Sequence, residues 1–136
     1  MATVLSPNNT LNIPTLDLPR VVVIGGGFAG LKLARKLASD DVQTVLLDEN
    51  NYHTFQPLMY QVATAGLEPD SIAYPLRKTL KRKKRMHIRM THVFKVDMES
   101  QTVFTSIGDI KYDHLVIATG ARTNYFGNRN IEEQTA

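Results

Sequence analysis

The chain has 136 residues, of which 43% are hydrophobic and 21% charged, the balance expected of one soluble globular domain with its own core. It contains no cysteine, which excludes disulfides, thiolate catalysis and cysteine-ligated metal for this stretch and leaves a reducing compartment permitted. The formal net charge of +3 comes largely from one run, Lys81, Arg82, Lys83, Lys84 and Arg85, while no stretch has the length of a membrane span or the pattern of a signal peptide.

Met1 to Pro19 is rich in Asn, Pro and Ser without sustained period, and reads as a mobile leader, residues 1–19. The fold is expected to begin at Arg20. Val21, Val22, Val23 and Ile24 form an apolar run without polar alternation, as in a parallel strand buried on both faces. Gly25, Gly27 and Gly30 then fit G-x-G-x-x-G, and Leu31, Ala34, Leu37 and Ala38 carry helical spacing. In this order Gly25 permits a tight turn, Gly27 lets backbone approach a pyrophosphate, and Gly30 lets helix pack closely on strand. The N–H groups and dipole of the helix's first turn would face the phosphates.

A second strand, Thr44 to Leu47, ends in Asp48, 18 residues beyond Gly30, near where an acidic residue accepts hydrogen bonds from a ribose. Taken alone, Asp48 reads as a solvated loop carboxylate, since such carboxylates are common; strand, glycines and spacing together point to dinucleotide binding.

The connection that follows is long. Leu58 to Ala65 suits a short helix started by Pro57, ended by Gly66 and Pro69, and Ser71 suits the N-cap of a helix running to about Lys83, with Leu76 and Leu80 on one face. Tyr52, Phe55, Met59 and Tyr60 serve either as packing under a loop or as cover for a flat ring. Met86 to Met90, Val93 to Asp97, Thr102 to Ser106 and Lys111 to His114 read as short strands with close turns at Thr91-His92, Glu99 to Gln101 and Gly108-Asp109, an antiparallel meander beside the main sheet. Leu115 to Ile117 is a second buried run, ending in the small residues Ala118, Thr119, Gly120 and Ala121.

The basic run 81–85 suits an acidic lipid surface or the solvated end of a helix; no aromatic residues interleave with it, which speaks against nucleic acid. Liposome sedimentation at two salt concentrations separates these, because an electrostatic contact weakens with salt. The four histidines, 53, 87, 92 and 114, show no metal-ligand spacing and read as structural or exposed.

Three segments, RVVVIGGGFAGLKLARKL, VLLDENNYHTFQPLMYQVATAGLEPDSIAYPLRK and YDHLVIATGARTNYFGN, resemble the amino-terminal part of type II NADH:quinone oxidoreductases. These are single-subunit, non-proton-pumping flavoproteins of the membrane surface, within the pyridine nucleotide-disulfide oxidoreductase-like superfamily. The likeness covers about Arg20 to Gly127. It implies FAD, not NADH, on the first glycine motif, with phosphates at Gly25, Gly27, Phe28, Ala29 and Gly30 and the adenosine ribose at Asp48, joined by Glu49. It further implies Pro57 and Leu58 near the isoalloxazine, Val93 at the adenine, and Ala118, Thr119 and Gly120 at the cofactor again. No catalytic residue and no metal ligand follow, because in such proteins the flavin carries the chemistry.

The fold class expected is therefore α/β, a Rossmann-like FAD-binding fold over residues 20–136, with parallel sheet and small antiparallel meander, incomplete relative to the family. The second glycine motif that would hold NADH is absent, so the segment alone is expected to be inactive, its parent passing electrons from NADH to a quinone as a cytoplasmic protein peripheral on the inner face of the membrane, with a homodimer open. Two other readings stand beside this one. A disulfide reductase of the same superfamily would need a cysteine pair that this stretch lacks. A non-catalytic module, flavin-binding or membrane-contacting, would differ from an empty scaffold by flavin absorbance.

Overall fold

A computed structural model describes residues 11–80, 84–121, 124, 126, 127 and 133. Strand β1 (Arg20–Ile24) leads through a three-glycine turn into helix α1 (Phe28–Leu37) and returns as β2 (Gln43–Asp48). A two-stranded antiparallel ribbon, β3 (Tyr52–Thr54) with β4 (Ala73–Pro75), brackets the short helix α2 (Met59–Ala63) and is followed by α3 (Leu76–Thr79). Then come β5 (Met86–Met90), the meander β6 (Val93–Asp97), β7 (Thr102–Thr105) and β8 (Gly108–Lys111), and finally β9 (His114–Ile117).

The main sheet is four-stranded and parallel, in the order β5-β2-β1-β9. Its strands alternate between two covered faces, which is why they read as unbroken apolar runs. Val21, Val23 and Leu46 pack with Ala34 of α1 and Leu76 and Leu80 at α3. Val22, Ile24, Val45 and Leu47 point the other way, onto Val103, Ile110 and Tyr112 of the meander. Together they form the α/β arrangement of parallel sheet and antiparallel meander that the chain's pattern predicts.

Four local expectations are corrected. Residues 11–19 do not extend away as a leader: Leu11 is 1% exposed within the sheet–meander core. Side chains of the sheet bind this segment's carbonyls. Arg89 donates to Leu11 O and, at 2.6 Å, to Asn12 O; Gln43 donates to Pro14 O at 2.6 Å. Gln43, fully buried, is in turn held by Arg20 Nε at 2.7 Å.

Ser71 caps no long helix. It closes a single 3-10 turn, and Ala73–Pro75 forms β4 against β3, with Pro75 (φ −61°, ψ 125°) as the residue where α3 starts. Proline disfavours the helical region for the residue before it, here Tyr74, so a helix cannot run through from Ser71. The predicted end near Lys83 lies outside the described residues, as do Lys81, Arg82 and Lys83 of the basic run; Lys84 is exposed and Arg85 pairs with Asp41.

Met86–Met90 belongs to the main sheet, not to the meander: it pairs parallel with β2 from Thr44↔Met86 to Asp48↔Met90. Residues 49–85 are the long crossover that parallel pairing requires. Thr91-His92 is then no hairpin turn but the step between sheets, with Thr91 N–H donating to Asp48 O at 2.8 Å. The strand expected at Lys111 to His114 is divided between β8 and β9. Thr105 Oγ1 closes the preceding turn on Gly108 O at 2.6 Å, so that Gly108 (φ +130°) already begins β8.

Candidate functional site

The carboxyl ends of β1, β2 and β9 converge on the glycine turn. Gly25 N–H donates to Leu47 O and Ala118 N–H to Ile24 O, both at 2.8 Å, tying the turn to the strands on either side. Gly25 has φ +103°, and a Cβ there would stand 2.3 Å from Ala118 O. A Cβ on Gly30 would stand 1.9 Å from Gly25 O, so α1 lies against the turn at a distance only glycine permits. Gly27 differs from both. It is extended (φ −70°, ψ −164°), and a Cβ there meets nothing within 4 Å.

Gly27 is also the N-cap of α1, and no side chain caps this helix, whose last turn carries Arg35 and Lys36 on the favourable side of the dipole. A ten-residue helix with its first turn open to a cleft is suited to an anion. Asp48 fixes the turn from below: its Oδ2 accepts Gly26 N–H at 2.5 Å and its Oδ1 accepts Asn50 N–H at 2.7 Å. Charge-assisted bonds of this kind contribute about 1.5 to 3 kcal/mol each. Asp48→Ala is therefore expected to lower the ligand-free protein's stability by about 2 kcal/mol in urea unfolding, discounted for partial exposure. A variant as stable as the parent would show that the carboxylate does not hold the turn.

Two cavities adjoin at Gly25, Asp48, Asn50, Thr119 and Gly120. The first, about 470 Å³, is lined by the glycine turn, Phe28, Ala29, the β3 residues Tyr52, His53 and Thr54, Gln56, and residues 118–121. The second, about 500 Å³, is lined by Ile24, Leu47, Glu49, Thr91, His92 and Val93 as well. They form one cleft across the strand ends, of the size and place in which open α/β sheets take elongated ligands.

Of the residues singled out by sequence, Gly25, Gly27, Phe28, Ala29, Asp48, Ala118, Thr119 and Gly120 stand on the first wall, and Glu49 and Val93 on the second. Gly30 is buried behind the turn. Pro57 and Leu58 stand on neither wall; Gln56, the residue before them in the same 3-10 turn, does.

Sequence reasoning missed Gly26, whose N–H is the one Asp48 binds and whose Cβ would meet Leu76 Cδ1 at 2.8 Å; the signal was a third glycine that the fingerprint leaves over. It also missed His53 and His92. His53 meets the edge of Phe28 with centroids 4.7 Å apart at 85°, and Phe28 meets Phe55 at 5.5 Å. His92 Nδ1 bonds to Glu49 Oε1. The other two histidines stand away from the cleft; burial, with Arg89 and Arg20 nearby, lowers the pKa of His87. Among the described residues no group of His, Asp or Glu is placed to hold a metal ion, and no helix is long and apolar enough to cross a membrane.

A sequence profile of pyridine nucleotide-disulphide oxidoreductases matches residues 19–136. The chain belongs to that family. Within it, the chain is similar to the type II NADH:quinone oxidoreductase NdhA of Mycobacterium tuberculosis, 42% identical over 113 residues, which are 80% of this chain and 24% of that one. The type II NADH:quinone oxidoreductase Ndh of the same organism is 38% identical over 127 residues, 88% of this chain and 27% of its own. Among solved structures, NDH2 from Plasmodium falciparum in complex with NADH superposes with a TM-score of 0.74 over 85% of this chain and 25% of that one, at 22% identity, a likeness of fold. The sulfide:quinone oxidoreductase of Aquifex aeolicus gives 0.70 at 30% identity, covering 79% of this chain and 25% of that one. The chain thus spans about a quarter of the length of these proteins.

Proposed function

We propose that residues 20–136 are the FAD-binding unit of a flavoprotein oxidoreductase that moves electrons from NADH through FAD to a membrane quinone. The observation that carries this is the open Gly27 position over the uncapped start of α1, a cradle that a side chain would fill, continuous with cavities on both sides. The likeness to type II NADH:quinone oxidoreductases supports the same reading.

In this proposal the N–H groups at Phe28 and Ala29 bind the pyrophosphate, with Gly27 letting it approach the backbone. Asp48 orients the turn and, with Glu49, faces the ribose. Val93 lies toward the adenine. Ala118, Thr119 and Gly120 close the opposite wall, and the Pro57-Leu58 turn borders the flavin end beside Gln56. When bound, FAD would supply the two-electron redox chemistry between NADH and the quinone. The chain's own part is to bind, orient and exclude water, and no side chain is assigned as acid, base or nucleophile. Attachment to the inner, cytoplasmic face of a membrane, through a surface that salt would weaken, and a homodimer of the whole protein belong to the same proposal.

Titration decides between cofactors. FAD is expected to bind the purified chain with quenched flavin fluorescence, and NADH at equal concentration is expected not to displace it. NADH binding in preference to FAD would overturn the assignment. With NADH, added FAD and a soluble quinone, the 136 residues are expected to turn over no faster than free flavin, because they contain one G-x-G-x-x-G and a hydride donor needs its own site within about 3 to 3.5 Å of the acceptor. A second reading, a reductase of the same family with another donor, draws on the 30% identity to the sulfide:quinone oxidoreductase. It requires sulfide to replace NADH in the whole protein.

A further inference from the structure

Residues 11–16 lie on the meander face of the sheet and are held there by side chains. Arg89 of β5 donates to Leu11 O and, at 2.6 Å, to Asn12 O, while Gln43 of β2 and Arg20 of β1 donate to Pro14 O at 2.6 and 3.4 Å. Among the described residues no backbone–backbone hydrogen bond reaches residues 11–18; the first is from Gln43 N–H to Pro19 O, at 2.9 Å. Leu11 is the only fully buried side chain of the segment. A cavity of about 350 Å³ adjoins it, lined by Leu11, Ile13 and Thr15 on one side and by Asp109, Ile110 and Lys111 of β8 on another. The segment is thus anchored at one apolar point and gripped by its carbonyls.

His87 stands on the same face. Met86 and Ile88 pack toward α1 and α3, so strand alternation turns His87 and Arg89 the other way. His87 is in register with Val45, which belongs to the cluster around Leu11. Its Nε2 is buried and has no hydrogen-bond partner among the described residues. Burial, then Arg89 and Arg20, hold its pKa below the ordinary histidine value. The charged groups around it are unequal in sign. Its own strand carries Arg89, with Arg77 of α3 adding to the positive field there, and Arg85 just before it is turned to Asp41. β1 carries Arg20, whose N–H occupies Asp113 at 2.6 Å, and β8 brings Asp109 and Lys111, one charge of each sign. Residues 11–16 have no ionisable side chain, and β2 offers the neutral Gln43. A proton on His87 therefore adds a cation beside Arg89 and Arg20 with no carboxylate bonded to it.

We propose that residues 11–16 form an acid-released strap: protonation of His87, beside the guanidinium groups that grip the segment, detaches it while the sheet and meander stay folded. Linkage gives the sign. With the strap docked, His87 takes up its proton less readily than when departure of the strap opens it to water, so docking is strongest above about pH 6.5 and weakens as the pH falls below that. For one such histidine the limit between pH 7.5 and 5.5 is about tenfold in the docking equilibrium.

The chain has no cysteine, so Leu11→Cys supplies a single thiol that reacts only while the strap is off. Its labelling rate, divided at each pH by that of a short peptide with the same residues, gives the open fraction. Val103→Cys, on the meander side of the same core, reports unfolding of the whole chain. The open fraction at position 11 is expected to rise about five- to tenfold from pH 7.5 to 5.5, and that at position 103 by less than about twofold. Adding His87→Gln, which keeps a polar amide but cannot be protonated, should flatten the response at position 11 and so separate His87 from His53, His92 and His114. Circular dichroism establishes that each variant folds, and Ile13→Cys, at a half-buried position of the same strap, repeats the measurement where Leu11→Cys does not fold. Labelling at the strap that does not change with pH overturns the proposal. So does an equal rise at positions 11 and 103, which is global acid unfolding, or a rise that survives His87→Gln.

Discussion

Gly27→Val is expected to abolish FAD binding while the protein stays folded. The two halves of this result come from different observations. The backbone at Gly27 is extended, a conformation any residue adopts, and a Cβ there has no protein atom within 4 Å, so the substitution leaves the packing untouched. Its effect on stability is confined to the poorer N-cap, about 1 kcal/mol. A branched side chain would nevertheless occupy the space over the first turn of α1, where a pyrophosphate must lie to reach the N–H groups. Gly30→Ala makes the contrast. Its Cβ would stand 1.9 Å from a backbone oxygen that cannot move without moving β1, and it is expected to destabilise by about 3 kcal/mol. Urea unfolding and FAD titration on both variants measure the two effects. Parental FAD affinity in Gly27→Val would remove the ligand from this turn.

Leu11→Ala is expected to destabilise the protein by about 3 kcal/mol, the range for truncating a buried leucine in a core that cannot collapse around the gap. Leu11 sits among Val22, Ile24, Val45, Leu47, Val103, Ile110 and Tyr112, between sheet and meander. Neither layer is free to close on a cavity there. The meander is held by its own ladder, and residues 11–14 are held by Arg89 and Gln43. Urea unfolding is the measurement. A loss below about 1 kcal/mol would mean that this segment lies on the surface and adds nothing to the core.

The sequence made local features legible and left distant ones obscure. The glycine turn, both its strands and α1 were readable because their signals lie within a few residues of each other. Asp48 was readable because the βαβ spacing fixes where the second strand ends. Leu11 was not, because a single leucine among Asn, Thr and Pro has no period, and its burial depends on partners such as Val103 and Ile110. The sheet to which Met86–Met90 belongs was hidden for a related reason: alternation identifies a strand but not its neighbour. His92 and Glu49 lie 43 positions apart, and only the crossing of β5 beside β2 brings them together. The helix expected from Ser71 failed at Pro75, where the pre-proline restriction outweighed a favourable apolar spacing.

The position of β9 sets an order in time. It closes the sheet against β1, joining residues 93 positions apart, and Ala118 beside it forms the wall against which Gly25 turns. A chain emerging from the ribosome amino terminus first presents β1, α1 and β2 long before this partner exists. Contacts of such separation are the slow ones, since the intervening loop must be closed before they are made. The glycine turn thus waits, half built, until β9 has been made and laid against β1.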